Sequence, residues 1–258
     1  MNSSPRSISV VIPAYNEARR LPGTIERIAG FAARQGNIHE VIIVDDGSRD
    51  ETAAVVNATS SDVVPFRLVG YRSNAGKGYA IRRGIMEATG EAVLISDADL
   101  STPIEELSKL LNAFESSDLV IGSRALEQSE VRVRQAWYRQ RMGKVFNALM
   151  GTITGLPFAD TQCGFKLLRR ETAKRVFEQA TVDRFAWDVE MLMIACQMGY
   201  RIREVPVVWI NSSDSRVRIV RDSLRMLFDT LRMRARLGRA RCAAPEDGHG
   251  DETQRRED

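Results

Sequence analysis

Apolar runs and amphipathic stretches alternate along the first half of this 258-residue chain. Ile8 to Ile12 and Val41 to Val44 are short, β-branched and bounded by turn residues, the pattern of strands buried on both faces of a parallel sheet. Leu21 to Gln35 supplies the helix between them, Asp50 is placed to cap a helix from Glu51 to Ala58, and Leu68-Val69 ends a third strand. Lys77 to Ala88 predicts the next helix and Ala92 to Ser96 the fourth strand. In Thr102-Pro103-Ile104-Glu105, a capping residue, a proline at the first helical position and a glutamate three after the cap predict a helix through Glu115. Leu119 to Gly122 then forms another strand.

This alternation predicts an α/β fold with a Rossmann-like half: a mostly parallel sheet with helices on both faces, joined by right-handed crossovers. The later half is less regular. It offers a helix around Trp137 to Met150, a short strand near Phe165 to Leu168, a helix from Asp188 to Met198 and a strand from Ile202 to Trp209.

With 43% hydrophobic residues the chain can build a full core. Its three cysteines, Cys163, Cys196 and Cys242, are odd in number, widely spaced and without a Cys-x-x-Cys pair. They indicate neither a disulfide framework nor a zinc site, and a reducing cytoplasm is the compartment expected. Met1 to Ser7 lacks an apolar stretch and no run is long enough to span a membrane, so the chain reads as neither secreted nor transmembrane. Charge is local: residues 216–241 hold nine arginines against Asp222 and Asp229, while residues 1–215 balance at 26 basic and 26 acidic. The acidic end, 242–258, has no large apolar residue and is expected to be disordered.

Asp97-Ala98-Asp99 places two carboxylates one residue apart just beyond an apolar strand, and Pro13-Ala14-Tyr15-Asn16-Glu17 and Val44-Asp45-Asp46-Gly47-Ser48 follow two others. In a parallel sheet such loops gather at the carboxyl edge, where open α/β folds bind ligands. Like charges repel there unless a cation joins them, which points to a divalent metal holding a polyphosphate. Pro13, Tyr15 and Glu17 offer a fixed torsion, a flat ring and an acceptor for a nucleobase, although an ordinary strand-to-helix turn would look the same. Asp46 could accept from a base or ribose. Asn74 to Gly78 opens a helix where backbone N–H groups or Lys77 can approach an anion. Neither a P-loop nor a Gly-x-Gly-x-x-Gly follows the first strand, which weakens nucleoside triphosphatase and dehydrogenase readings.

These segments, together with Ile121-Gly122-Ser123-Arg124, occur in the order seen in glycosyltransferase family 2, which the chain resembles from Ile8 to about Arg232. Asp97 to Ser101, Asp160-Thr161-Gln162-Cys163-Gly164-Phe165-Lys166 and Trp187-Asp188-Val189-Glu190 resemble the branch acting on dolichyl or polyprenyl phosphate. The resemblance implies a GT-A fold over 1–215, with a nucleotide half at about 8–124 and an acceptor half at about 125–215. It also implies a nucleotide-sugar donor, Mg²⁺ or Mn²⁺, and inversion at the anomeric carbon. Carried over by position, Pro13, Tyr15, Glu17, Val44 and Asp46 hold the donor nucleoside, Ala14 and the helix-opening Lys77 are grouped with them at the donor, and Asp97, Ala98 and Asp99 meet donor and metal. Asp97 and Asp99 are the metal ligands. Arg124 and Arg139 contact diphosphate or acceptor phosphate, and Lys166 is assigned to acceptor phosphate. Ser101 stands where mannosyl relatives carry glutamine, and stays outside the metal shell.

The implied reaction moves a hexose, glucose from UDP-glucose, onto a polyprenyl or dolichyl phosphate. A lipid monophosphate with a second pKa of about 6 is mostly dianionic near neutral pH and needs no protein base. Asp160 and Asp188 are candidate bases for a hydroxyl acceptor, or else a helix cap and a partner of Lys166. The alternatives are another donor such as GDP-mannose, a hydroxyl acceptor, or an inactive nucleotide-sugar-binding protein at a membrane surface. If 216–241 is helical, Val220, Leu224, Leu227 and Leu231 form one stripe and Arg218, Arg221, Arg225, Arg232, Arg236 and Arg239 another. That pattern suits peripheral attachment to the cytoplasmic face of a membrane, each arginine contributing about 1 kcal/mol near an anionic bilayer. A solvated helix packed on the domain fits as well. Nucleic acid ranks behind both, since Phe228 is the segment's one aromatic. Self-association stays open.

Overall fold

A computed structural model describes residues 5–132, 147–210 and 219–242, the side chains of 219–222 excepted. In chain order the elements are β1 (Ile8–Ala14), α1 (Leu21–Gln35), β2 (Ile38–Asp45), α2 (Thr52–Asn57), β3 (Phe66–Gly70), α3 (Lys77–Glu87) and β4 (Ala92–Ile95). A 3₁₀ turn (Ile104–Glu106) leads into α4 (Leu107–Phe114), followed by β5 (Leu119–Ser123) and β6 (Glu130–Val131). Residues 147–154 are helical and form the described part of α5. The rest is β7 (Lys166–Arg169), α6 (Arg170–Gln179), α7 (Trp187–Gln197), β8 (Ile202–Pro206), β9 (Val208–Trp209) and α8 (Ile219–Leu237).

Seven strands make one sheet in the order β3-β2-β1-β4-β7-β5-β8, and β6 and β9 form a separate parallel pair. The neighbours β3-β2-β1-β4 and β5-β8 are parallel, whereas β7 runs antiparallel between β4 and β5. The expected mostly parallel sheet is present, with one reversed strand that an apolar run alone does not distinguish. One face is covered by Leu21, Ile25 and Ile28 of α1, Val56 of α2 and Leu107 and Leu110 of α4. The other is covered by Ala80, Ile81 and Ile85 of α3, Val176 and Phe177 of α6, the buried α7, and Met233 of α8.

Several expectations need correction. Thr102 does not cap the fourth helix: Pro103 is extended (φ −55°, ψ 142°), so the chain enters through the 3₁₀ turn at Ile104. The helix α6 is absent from the expected elements, although Ala173, Val176, Phe177 and Ala180 recur at helical spacing and are buried. The strand expected over Ile202 to Trp209 divides at Val207, whose N–H turns to Ser123 O, and the end pairs with β6 instead of the main sheet. Cys196 and Cys242 form a disulfide, 46 residues apart, contrary to the reading of unpaired thiols. Sequence spacing carried no sign that the end of α7 meets the chain just after α8. Arg139, the start of the helix placed at Trp137, Arg218, the side chains of Val220 and Arg221, and the acidic tail from Ala243 lie outside the described residues. Among the described residues no helix is long and apolar enough to cross a membrane.

Candidate active site

Because β2, β1 and β4 are adjacent and parallel, the loops after them meet at one edge, as the sequence implied. They are stitched together. Asn16 N–H donates to Ser48 Oγ (2.8 Å), Arg49 N–H to Asn16 Oδ1 (2.7 Å) and Glu17 N–H to Thr52 Oγ1 (2.8 Å). Asn16 (φ 53°) and Leu100 (φ 46°) both adopt the left-handed conformation, which costs a branched residue such as leucine about 1–2 kcal/mol. Leu100 is held there by its own burial and by its N–H to Asp97 O (3.1 Å). The turn also fixes Asp99, whose Oδ1 accepts Ser101 N–H at 3.0 Å, while Thr24 of α1 donates to Ala98 O at 2.6 Å.

Asp97 and Lys77 form the central pair, Nζ to Oδ1 at 2.5 Å, with about a third of each side chain exposed. Burial by itself would raise the Asp97 pKa; the charge and hydrogen bond of Lys77, with Lys166 and Arg124 beyond, outweigh it and hold the carboxyl below its ordinary range. Burial likewise opposes charge on Lys77, and Asp97 overcomes it to raise that pKa. Lys77 owes its place to tight packing at the start of α3. A Cβ on Gly76 (φ 116°) would lie 2.4 Å from Asp183 O, and one on Gly78 would lie 2.4 Å from Val182 O.

Asp46 is nearly fully buried and accepts from Tyr71 Oη (2.8 Å), Asn74 Nδ2 (2.7 Å), Ala75 N–H (2.7 Å) and Gly76 N–H (3.0 Å). Its carboxylate therefore shapes the loop that leads to Lys77, a role that sequence did not reveal. Val44 has no exposed side chain, so any ligand contact there belongs to its backbone. Pro13, Ala14, Tyr15 and Glu17 lie at the same edge, with Glu17 ion-paired to Arg20 at 3.2 Å.

Across β4, the segment 160–166 closes the site. Asp160 is 1% exposed and grips Arg124 through two side-chain bonds of 2.6 and 2.9 Å and the Arg124 N–H at 3.0 Å. Burial opposes the charge on Asp160, but Arg124 outweighs it and brings the carboxyl pKa to about 2. Arg124 also lies over the Trp209 ring at 5.7 Å, with its side chain 30% exposed. Asp160 is thus paired with Arg124 instead of Lys166. Lys166 is fully buried and donates to Thr161 O at 3.2 Å and to Cys163 O, over the Trp187 ring at 5.3 Å. These contacts hold Lys166 within its own loop, and burial lowers its pKa against the pull of Asp188. Asp188 is buried at the start of α7 and accepts Val189 N–H at 2.8 Å. Burial raises its pKa to about 6 although Lys166 pulls the other way.

Two carboxylates with hard oxygen donors, one already countered by Lys77, fit Mg²⁺ or Mn²⁺ held jointly with a diphosphate. Among the described residues no group of three His, Cys, Asp or Glu could cage a metal alone. Ser96 Oγ, Thr161 Oγ1 and Gln162 Nε2 are buried beside this edge without a protein partner, so the site has polar capacity to spare.

The family model described as glycosyl transferase family 2 matches residues 9–177. The chain belongs to glycosyltransferase family 2. This glycosyltransferase is 35% identical over 245 residues to a dolichyl-phosphate beta-glucosyltransferase of Dictyostelium discoideum, covering 89% of this chain and 74% of that protein. The human protein of the same name is 35% identical over 251 residues, covering 91% and 77%. Among solved structures, glucosyl-3-phosphoglycerate synthase from Mycobacterium tuberculosis, in complex with Mn²⁺, UDP and glucosyl-3-phosphoglycerate, superposes with a TM-score of 0.66 at 19% identity. That match covers 91% of this chain and 81% of the other. Mannosyl-3-phosphoglycerate synthase from Rubrobacter xylanophilus gives 0.65 at 21%, covering 92% and 78%. These likenesses establish the GT-A fold expected from sequence.

Proposed function

We propose that this glycosyltransferase moves glucose from UDP-glucose to a polyprenyl or dolichyl phosphate at a membrane surface, with inversion at the anomeric carbon. The observation that carries this reading is the likeness, over about nine-tenths of the chain, to proteins named dolichyl-phosphate beta-glucosyltransferase.

Asp99, with Asp97 beside it, would hold Mg²⁺ or Mn²⁺, which when bound supplies Lewis-acid stabilisation of the charge gathering on departing UDP. The Asp46-organised loop keeps Lys77 at the donor edge, and Arg124, fixed in direction by Asp160, meets phosphate with a preorganised guanidinium. An oxygen of the acceptor phosphate attacks carbon 1 as the bond from carbon 1 to the UDP oxygen breaks, and the electron pair leaves with UDP. The acceptor is already dianionic, so no side chain has to remove a proton. The helix α8 supports peripheral attachment: Met226, Thr230, Met233 and Leu237 pack on the domain, while Leu224, Phe228 and Leu231 face outward at 63%, 54% and 49% exposure. The stripe foreseen from sequence is therefore not the packed face.

Transfer of labelled sugar from separate nucleotide sugars into polyprenyl phosphate tests the reading. Label is expected from UDP-glucose; equal label from GDP-mannose, or transfer to lipid alcohols instead, would overturn it. A hydroxyl acceptor has one favouring observation, the buried Asp188 with its pKa near 6, a value suited to a general base.

A further inference from the structure

A second concentration of charge lies away from the Asp97 edge, in a cleft of about 280 Å³ between α8 and the turn 181–184. Arg225, Asp229, Arg232 and Arg236 line it from the helix, at spacings of four, three and four that put them on one face. Asp183 and Arg184 line it from the turn. Two of these charges are already committed. Arg236 bonds to Glu190, which is fully buried and also accepts Thr181 and Val182 N–H at 2.9 and 2.8 Å; Asp183 is held by Arg82 at 2.7 Å.

The remainder is unbalanced. Among the described residues Arg184 and Arg225 form no ion pair, and Arg232 stacks over Phe228 at 4.3 Å. Among the described residues lining the cleft, the three guanidiniums of Arg184, Arg225 and Arg232 thus outnumber Asp229, a surplus of two positive charges. Arginine forks match phosphate oxygens, and two charges match a phosphate monoester better than a singly charged diester. The outward stripe of Leu224, Phe228 and Leu231 runs alongside on the same helix, on the side away from the domain, as an interfacial helix requires.

We propose that this cleft binds the phosphate monoester headgroup of a bilayer lipid, with Leu224, Phe228 and Leu231 entering the membrane beside it. The lipid part rests on the membrane reading above; the headgroup site adds a preference that diffuse attraction lacks. The turn that lines the cleft also packs on Gly76 and Gly78, on either side of Lys77.

The test compares the full chain with an Arg184→Gln/Arg225→Gln variant, glutamine keeping the Cγ of Arg184 that packs on Gly76. Phosphatidylcholine vesicles carry phosphatidic acid or phosphatidylglycerol at matched surface charge, and soluble glycerol 3-phosphate serves in a thermal-shift arm. Wild type is expected to bind phosphatidic acid vesicles about tenfold more tightly, and the variant to lose that preference and the thermal shift. Affinity that follows surface charge alone, or an equal loss in Arg234→Gln/Arg241→Gln, would overturn the site. Tight binding confined to vesicles containing polyprenyl phosphate would overturn the bilayer-lipid assignment and make the cleft an acceptor subsite. A thermal shift in wild type without binding to any vesicle would defeat the membrane reading while leaving a phosphate cleft; absence of both would end the cleft itself.

Discussion

Gly164 sits so close to Asp97 that a Cβ on it would lie 2.4 Å from Asp97 Oδ2 and 2.8 Å from Cγ. The loop carrying Asp160 and Lys166 is therefore the lid under which the Lys77–Asp97 pair is set. Gly164→Ala must displace that carboxylate. Steady-state kinetics should give at least about a tenfold fall in kcat/KM for UDP-glucose, while the unfolding midpoint shifts by only a few degrees. Unchanged kinetics would remove Asp97 from donor binding.

Asp160 ties acid stability to Arg124. Its pKa falls from 3.8 to about 2 on folding, so its contribution is complete above the unfolded value and is lost as pH drops through the folded one. The size is on the order of 2 kcal/mol for this buried group. Denaturant titrations should show that Asp160→Asn is the less stable protein at pH 6 and that the gap to wild type closes between about pH 4 and pH 2. Transfer should fall as well, since Arg124 loses its orienting partner.

Asp188 carries the opposite sign. Its pKa rises from 3.8 to about 6, so the folded chain holds the proton more tightly and stability is lost as pH rises across that window. Asp188→Asn should therefore be more stable than wild type at pH 8 and gain nothing at pH 3.5. With a phosphate acceptor, lipid transfer by this variant should stay within about tenfold of wild type. A loss of a hundredfold or more, with wild-type activity rising through pH 6, would make Asp188 the base for a hydroxyl.

The Cys196–Cys242 bond closes a loop of 46 residues that includes all of α8. Loop entropy alone assigns it about 4 kcal/mol. Cys242→Ser should lower stability by a similar amount and match wild type treated with reductant; equal stability of oxidised and reduced wild type would show that packing alone fixes α8.

The first half of the fold was legible because β1, β2 and β4 are short apolar runs whose loops must share one edge in a parallel sheet. What stayed hidden depends on partners distant in sequence. Asp160 meets Arg124 across 36 residues, and the saturation of Asp46 by Tyr71, Asn74 and Gly76 depends on how that loop folds back. The burial of Lys166 was hidden for the same reason: β7 threads it between Ile95 and Ile121, on strands far away in sequence. On α8 the stripe through Leu224 and Leu231 was visible, but which face packs was decided by Thr230 and Met233.

The most direct measurement is incorporation of labelled glucose from UDP-glucose into polyprenyl phosphate, with Mn²⁺ or Mg²⁺ and after chelation, by wild type and Asp99→Ala. Label should enter lipid only with metal, and Asp99→Ala should lose it by about a hundredfold or more while keeping its unfolding midpoint. Full incorporation after chelation, or undiminished turnover by Asp99→Ala, would contradict a metal-assisted transfer at this edge.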